Sequence, residues 1–125
     1  MNLSTLITIL TILFIHWFAD FVLQTDQDAK GKSKSLNRLL SHTLSYSLIW
    51  LLVSVIHLMA IHNVYILLFS PITFLCHTAT DYYTSKAHSA LYAEERTHEF
   101  FVSIGFDQWL HYVQLFTTYY LLINL

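Results

Sequence analysis

Residues 3–24 read LSTLITILTILFIHWFADFVLQ, an almost unbroken apolar run that carries one imidazole, His16, and one carboxylate, Asp20. The run matches the roughly 20 apolar residues that a helix needs to cross a bilayer. An ionisable side chain inside a membrane costs on the order of 2.5–3.5 kcal/mol on insertion scales, so such residues usually serve a function there. The stretch therefore predicts a membrane-spanning helix with a functional polar end.

The composition of the whole chain predicts the same class of protein. Its 125 residues are 55% hydrophobic and 11% charged, whereas soluble domains carry about 25% charged residues. Two glycines and one proline supply few turn-forming residues, which argues against sheets and barrels. We expect an all-α fold, a single domain in which four transmembrane helices form a bundle. The single cysteine, Cys76, excludes an internal disulfide and is expected to be a buried thiol.

Polar segments divide the chain into the expected spans. These spans cover about 3–23, 39–60, 64–85 and 100–124. A polar loop is expected at 24–38, and a charged segment at 86–99 is compatible with a short surface helix. Pro71 falls inside the third span, where the loss of a backbone N–H predicts a kink.

The distribution of basic residues predicts how these helices are oriented. All six lysines and arginines lie in the two charged segments, as Lys30, Lys32, Lys34, Arg38, Lys86 and Arg96. Cytoplasmic loops carry an excess of Lys and Arg, so both segments are expected in the cytoplasm and both termini outside.

Three of the expected helices carry a histidine and an aspartate four residues apart. The motifs are HWFAD at 16–20, HTATD at 77–81 and DQWLH at 107–111, and His42 stands near the start of the second helix. Residues i and i+4 share a helix face. With the orientation above, these side chains lie at one depth, toward the cytoplasmic leaflet.

Carboxylates and imidazoles at one depth predict a metal centre. Mixed nitrogen and oxygen ligands suit Zn, Mn or Fe, and helix bundles build such sites from ligand pairs on facing helices. A lone pair of this kind is more often a hydrogen-bonded polar pair, but three pairs at one depth favour metal. Seven candidates exceed the four ligands of a closed zinc site, so either two divalent ions are present, or one ion is present and some of these residues support ligands or act as base or acid. The candidate ligands are His16, Asp20, His42, His77, Asp81, Asp107 and His111.

Further polar residues extend the predicted site. Gln24 continues the face of His16 and Asp20, and Gln108 follows Asp107, so both can orient ligands or substrate. Ordinary interfacial polarity explains the two glutamines equally well. We expect Asp107, as a base, and Gln108 to be catalytic. A phosphate-binding rim is predicted from Lys30, Lys32, Lys34 and Lys86, although the positive-inside rule and attraction to anionic lipid explain these lysines too.

The remaining histidines are expected outside the site. His57 and His62 fall near the outer face, whereas His88 and His98 fall in the charged segment and are expected to be solvated. Among the aromatic residues, Tyr46 is the one expected near the site, because it follows His42 by four residues and shares its face.

The segments HWFADFVLQT, KSKSLNRLLSH, HTATDYYTSK and IGFDQWLH resemble the bacterial and phage family called domain of unknown function 3307. The resemblance covers almost the whole chain. It implies a small protein of the bacterial inner (cytoplasmic) membrane rather than a particular activity. The helices that carry His and Asp are also distantly similar to membrane-bound metal-dependent hydrolases related to zinc-dependent phospholipase C. That similarity implies hydrolysis of a phosphoester or a lipid-like substrate.

Three functions are compatible with these predictions. The first is a metal-dependent hydrolase that acts on a phosphoester or lipid-linked substrate at the cytoplasmic leaflet. The second is a cation or proton transporter, although the outer half offers few polar groups beyond Ser54, His57 and some threonines. The third is a scaffold whose metal only stabilises the fold. Membrane lipids and further copies of the chain are the expected partners, and nucleic acid is not expected.

Overall fold

The computed structural model describes residues 2–125, and over that range the chain forms helices and short connections without a strand. The helices are α1 (Leu3–Trp17), α2 (Asp26–Gly31), α3 (Leu36–Ile61), α4 (Phe69–Ala93) and α5 (Thr97–Ile123). A π-helical turn, Phe18–Val22, continues α1, and a 3₁₀ turn, Val64–Leu68, leads into α4. The prediction of an all-α fold is confirmed.

Among the four long helices, α4 is the central one. This helix lies against α3 on one side and against α5 on the other, while α1 contacts α5 and its π-helical turn contacts α3. Aromatic and aliphatic side chains fill one end of the interior, where the rings of Trp50 and Phe69 lie 5.0 Å apart in a core that also contains Ile12 and Leu115. The opposite part of the interior is polar and contains the site.

The outer surface of the molecule is apolar while much of its interior is polar. Large side chains such as Leu52, Met59 and Phe101 are exposed, and Met59 keeps 74% of its surface accessible. Within the described residues, three stretches are long and apolar enough to cross a membrane: Leu3–Val22, Leu36–Ile61 and Val64–Ala93. Together these features indicate a membrane protein. Helix α5 is not among these stretches, and it carries Asp107, Gln108, His111 and Gln114 in its middle.

The observed helix ends change three expectations. Helix α4 begins only at Phe69, so Pro71 lies in its first turn, where a backbone N–H has no intrahelical acceptor and its loss costs little. The reason for expecting a kink inside the third span therefore no longer applies. The 24–38 segment contains α2, which Thr25 caps by accepting from the backbone N–H of Asp28. Residues 86–93 continue α4 rather than forming a separate surface helix.

Candidate metal centre

All seven predicted ligands are buried in one cluster. The cluster forms where the π-helical turn after α1 meets the first half of α3 and the middle of α4 and α5. Each of the four chain segments contributes at least one of the buried side chains, which are His16, Asp20, His42, His77, Asp81, Asp107 and His111. Three buried carboxylates lie in this cluster and Lys32 contacts one of them, so a protonated imidazole or a bound cation is needed to balance the remaining negative charge.

Asp20, His42, His77 and Asp81 form the first of two ligand groups, called group one. The Nε2 atom of His42 lies 3.2 Å from Nε2 of His77, 3.0 Å from Oδ1 of Asp20 and 3.4 Å from Oδ2 of Asp81. His77 Nε2 lies 3.4 Å from the same Asp20 oxygen and 3.5 Å from the same Asp81 oxygen. Ligands about 2.0–2.1 Å from a tetrahedral ion lie about 3.3–3.4 Å from one another. The spacing of the four atoms fits that shell.

Asp81, Asp107 and His111 form the second ligand group, called group two. The ring of His111 is oriented by a bond from its Nδ1–H to the backbone carbonyl of Asp107, at 2.9 Å. Its Nε2 lone pair is then free, and it lies 3.5 Å from Oδ1 of Asp81. Within residues 2–125 neither this nitrogen nor the buried Oδ1 of Asp107 has a hydrogen-bond partner. Metal-binding histidines commonly donate their second ring N–H to a carbonyl in this way.

Asp81 joins the two groups. Its Oδ2 atom faces His42 and His77, whereas its Oδ1 atom faces His111. Since the two oxygens of one carboxylate point into different groups, Asp81 can serve two ions at once. Paired sites with two ions about 3.5–4 Å apart are common in enzymes that act on phosphate esters.

His16 belongs to neither group, because both of its ring nitrogens are engaged by other side chains. Tyr46 lies with its hydroxyl 2.8 Å from Nδ1, and Gln108 lies with its Oε1 2.8 Å from Nε2. The amide oxygen can only accept, so Nε2–H of His16 donates to it and Nδ1 accepts from the Tyr46 hydroxyl. This arrangement makes His16 a support for the two groups rather than a ligand of either.

The two predicted glutamines contact the ligand groups directly. Gln108 Nε2 donates to Oδ2 of Asp107, at 3.1 Å, and to Oδ2 of Asp20, at 3.4 Å. Its amide therefore links a carboxylate of group one to a carboxylate of group two. Gln24 lies with its amide 3.2 Å from Nδ1 of His42. For Nε2 of His42 to bind a metal ion, Nδ1 must carry the ring proton, so metal binding requires the amide turned with its oxygen toward the ring as the acceptor. Partners of this kind hold ligand side chains in place.

Of the four lysines in the predicted rim, Lys32 reaches the cluster. Its Nζ atom donates to Oδ2 of Asp81 at 2.7 Å. Burial alone lowers the pKa of Lys32, but the carboxylates of Asp81 and Asp20 outweigh it, so the pKa lies above its ordinary value. Lys86 instead lies 3.4 Å from the centre of the Tyr82 ring, outside the cluster. Lys30 and Lys34 line a neighbouring cavity together with Lys32.

Aromatic rings enclose the cluster on the side of the apolar core. The Tyr46 ring stacks on His77, with ring centres 4.0 Å apart. Tyr46 therefore lies beside the site, as its position four residues after His42 predicts. Tyr112 packs edge-on against His16 with ring centres 4.9 Å apart. The sequence offered no spacing signal for Tyr112, since it follows His111 directly and lies on a different helix face.

The four remaining histidines lie outside both groups. His57 lies 3.3 Å from the Tyr119 hydroxyl, and His62 ends α3 in a left-handed conformation with φ 55°. His98 is exposed. His88 departs from the expectation of a solvated residue, because it is half-buried beside Phe100 and its Nε2 atom is fully buried.

The fold and the cluster define a class: an all-helical protein with membrane-length apolar helices and a buried aspartate–histidine centre that could hold a divalent ion. The chain belongs to the family described as "Protein of unknown function (DUF3307)", whose profile matches residues 7–125. The resemblance seen in the sequence motifs is thereby confirmed. All seven candidate ligands fall within the matched region. No curated protein and no solved structure matches the chain.

Proposed function

We propose that the protein is a membrane-embedded, metal-dependent hydrolase that cleaves a phosphoester or lipid-linked substrate at the cytoplasmic leaflet. The observation that carries this proposal is the geometry of group one. Two imidazole nitrogens and two carboxylate oxygens from three separate chain segments lie 3.0–3.5 Å apart in five of their pairings. That spacing supports a shared cation, because one N–H proton on each ring can satisfy only part of these contacts.

The proposed placement in the membrane has four spans. Helix α5 packs along α4 and presents large apolar side chains such as Phe101, Phe106 and Trp109 to the outside, which suits contact with lipid. With α5 as the fourth span, both charged segments lie on one side and both termini on the other. The positive-inside rule then assigns the charged side to the cytoplasm of a bacterial inner membrane.

The proposed ions are one or two of Zn, Mn or Fe, held by group one and by group two. A bound divalent ion would supply a Lewis acid for the phosphoryl oxygen and a lowered pKa for an attacking water. In a protein that holds an ion in group one alone, Asp107 is the proposed base, because its Oδ1 atom is buried and has no hydrogen-bond partner in the described chain. Gln108 and His16 keep the carboxylates in place, and Lys32 offers an ammonium to an anionic substrate.

Transport is a second candidate, favoured by polar side chains that continue from the cluster toward the apolar end. Gln114 donates to the hydroxyls of Thr73 and Thr118, at 3.2 and 3.3 Å. Other hydroxyls in this region donate to backbone carbonyls, as the Ser47 hydroxyl does to the carbonyl of Thr43. They are therefore less suited than the Gln114 group to passing a cation or a proton.

A turnover assay on protein purified in detergent and loaded with Zn, Mn or Fe tests the proposal. Substrates would be chromogenic phosphomonoesters and phosphodiesters and short-chain phospholipids. Turnover that is lost in Asp107→Asn and kept in Gln114→Leu, with helical circular dichroism intact in both, supports the hydrolase. Bound metal without turnover would leave the metal a structural role. Ion flux in proteoliposomes without turnover would favour transport.

A further inference from the structure

A cavity of about 630 Å³ lies beside α2, between that helix and the last turns of α4. Three lysines line it, Lys30, Lys32 and Lys34, and its lining within the described chain contains no carboxylate. These lysines give the cavity a positive potential that favours an anion. Of the three, Lys32 also donates to a carboxylate, that of Asp81.

Two buried polar atoms in the wall of this cavity lack partners. Ser85 is only 5% exposed, yet its Oγ atom makes no hydrogen bond to any part of residues 2–125. The Nε2 atom of His88, one helical turn further along α4, is also buried and without such a partner. Buried polar atoms are nearly always hydrogen-bonded, so two unpartnered ones beside three lysines point to a ligand with oxygen acceptors.

Two polar contacts place the lysine-bearing segment beside α4 and α3. The Ser89 hydroxyl donates to Ser33 at 2.8 Å, which ties the segment after α2 to α4 across the cavity. On the other side of α2, Arg38 lies 3.6 Å from the buried carboxylate of Asp28. These contacts position the backbone that carries the three lysines beside the cavity, while the side chains of Lys30 and Lys34 stay exposed.

We propose that this cavity binds a phosphate group, with Lys30, Lys34, Ser85 and His88 as its contacts and Lys32 as the link to the metal centre. Phosphate suits the site because it offers several acceptor oxygens and a negative charge. Lys32 lines the cavity and its ammonium group contacts Asp81, so this side chain connects the cavity to the residue shared by both ligand groups. The anion site itself is independent of the proposed function. The further claim that its phosphate belongs to the hydrolase's substrate rests on that function.

Isothermal titration calorimetry on the full-length, metal-free protein in detergent tests the proposal without any need for turnover. The probes are inorganic phosphate, dioctanoyl phosphatidic acid and, as the uncharged control, dioctanoyl glycerol. We expect saturable binding of at least one phosphate probe and none of the glycerol. Equal affinity for both phosphate probes would identify the phosphate alone as the recognised group, and tighter binding of phosphatidic acid would identify a lipid-borne phosphate.

The variants separate a built site from a general effect of charge. Removing both ammonium groups in Lys30→Gln/Lys34→Gln should weaken phosphate binding by about tenfold or more, because charge-assisted hydrogen bonds are lost. Ser85→Ala should also weaken binding without any change of charge. Lys86→Gln is the matched control, since Lys86 lies on Tyr82 outside the cavity. This variant should bind phosphate with the same affinity as the wild-type protein.

Two results would overturn the proposal: no saturable binding of either phosphate probe, or equal weakening by Lys86→Gln and by the cavity variants. Metal content measured on separate samples distinguishes this failure from failure of the proposed function. Protein that binds metal but no phosphate would refute the anion site alone. Protein that binds phosphate but no metal would refute the metal-dependent hydrolase and leave the anion site standing.

Discussion

The Nε2 atoms of His42 and His77 lie 3.2 Å apart, although the two residues are 35 positions apart in the chain and belong to α3 and α4. Two neutral imidazoles can share at most one proton across such a contact, and both nitrogens also face carboxylate oxygens. A divalent cation between the two rings accounts for all of these contacts together.

The shared carboxylate makes Asp81 more important for metal content than Asp107. In a protein that holds two ions, Asp81→Asn should remove both, because its two oxygens face different groups. Asp107→Asn should remove only the ion of group two. Metal analysis of the purified variants checks this, and equal losses in both would contradict the assignment of Asp81 to both groups.

Gln108 should tune metal affinity without being a ligand. Gln108→Leu removes the donor that holds Asp20 and Asp107, so affinity should fall about 10–100-fold, as is common for such supporting contacts. Competition with a chromogenic chelator measures the change. Gln114→Leu is the matched control on the same helix, since Gln114 bonds to Thr73 and Thr118 instead. An unchanged affinity in Gln108→Leu would contradict the supporting role.

Tyr46 should contribute to stability through its hydroxyl. Tyr46→Phe keeps the ring on His77 but leaves Nδ1 of His16 buried without a donor, at a cost of about 1–3 kcal/mol. Denaturant unfolding in detergent micelles measures this loss. Tyr120 is 65% exposed, so Tyr120→Phe serves as the control and should leave stability unchanged. Equal stability of the two variants would mean that the Tyr46 hydroxyl is dispensable.

The two glycines should respond to alanine in opposite directions. A Cβ at Gly31 would lie 2.9 Å from Cγ of Arg38, so Gly31→Ala must displace Arg38 from Asp28 and loosen α2. A Cβ at Gly105 meets nothing within 4 Å, so Gly105→Ala should stabilise α5 by about 0.4–1 kcal/mol. Thermal unfolding ranks the variants. Faster proteolysis within 24–38 should accompany Gly31→Ala alone, and its absence would contradict the packing of α2.

Much of this site could be predicted from the sequence, because spacing along one helix fixes which residues share a face. This spacing predicts that the histidine and aspartate of each pair, at 16–20, 77–81 and 107–111, project from the same side of their helix. Spacing does not fix the rotation of one helix against another, however. The π-helical turn at Phe18–Val22 separates the roles of His16 and Asp20, so Asp20 enters group one while His16 bonds to Tyr46 and Gln108.

The lysine rim shows a second limit of sequence reasoning. Positive charge near a membrane predicts which side a segment occupies, but not which ammonium group reaches a particular carboxylate. The short helix α2 brings Lys32 to Asp81, whereas Lys86 lies on the ring of Tyr82 one turn earlier on its own helix. Ser85 and His88 had no distinguishing pattern, because their importance depends on the cavity that α2 closes.

The most direct test of the central claim is the metal content of the purified protein by inductively coupled plasma mass spectrometry, with Asp20→Asn and Asp81→Asn measured beside it. We expect about one or two equivalents of Zn, Mn or Fe in the wild-type protein, with loss of the group one ion in both variants. Wild-type protein that binds none of these ions after loading with each in turn would contradict it. The buried carboxylates and imidazoles would then form a hydrogen-bonded core or a proton path.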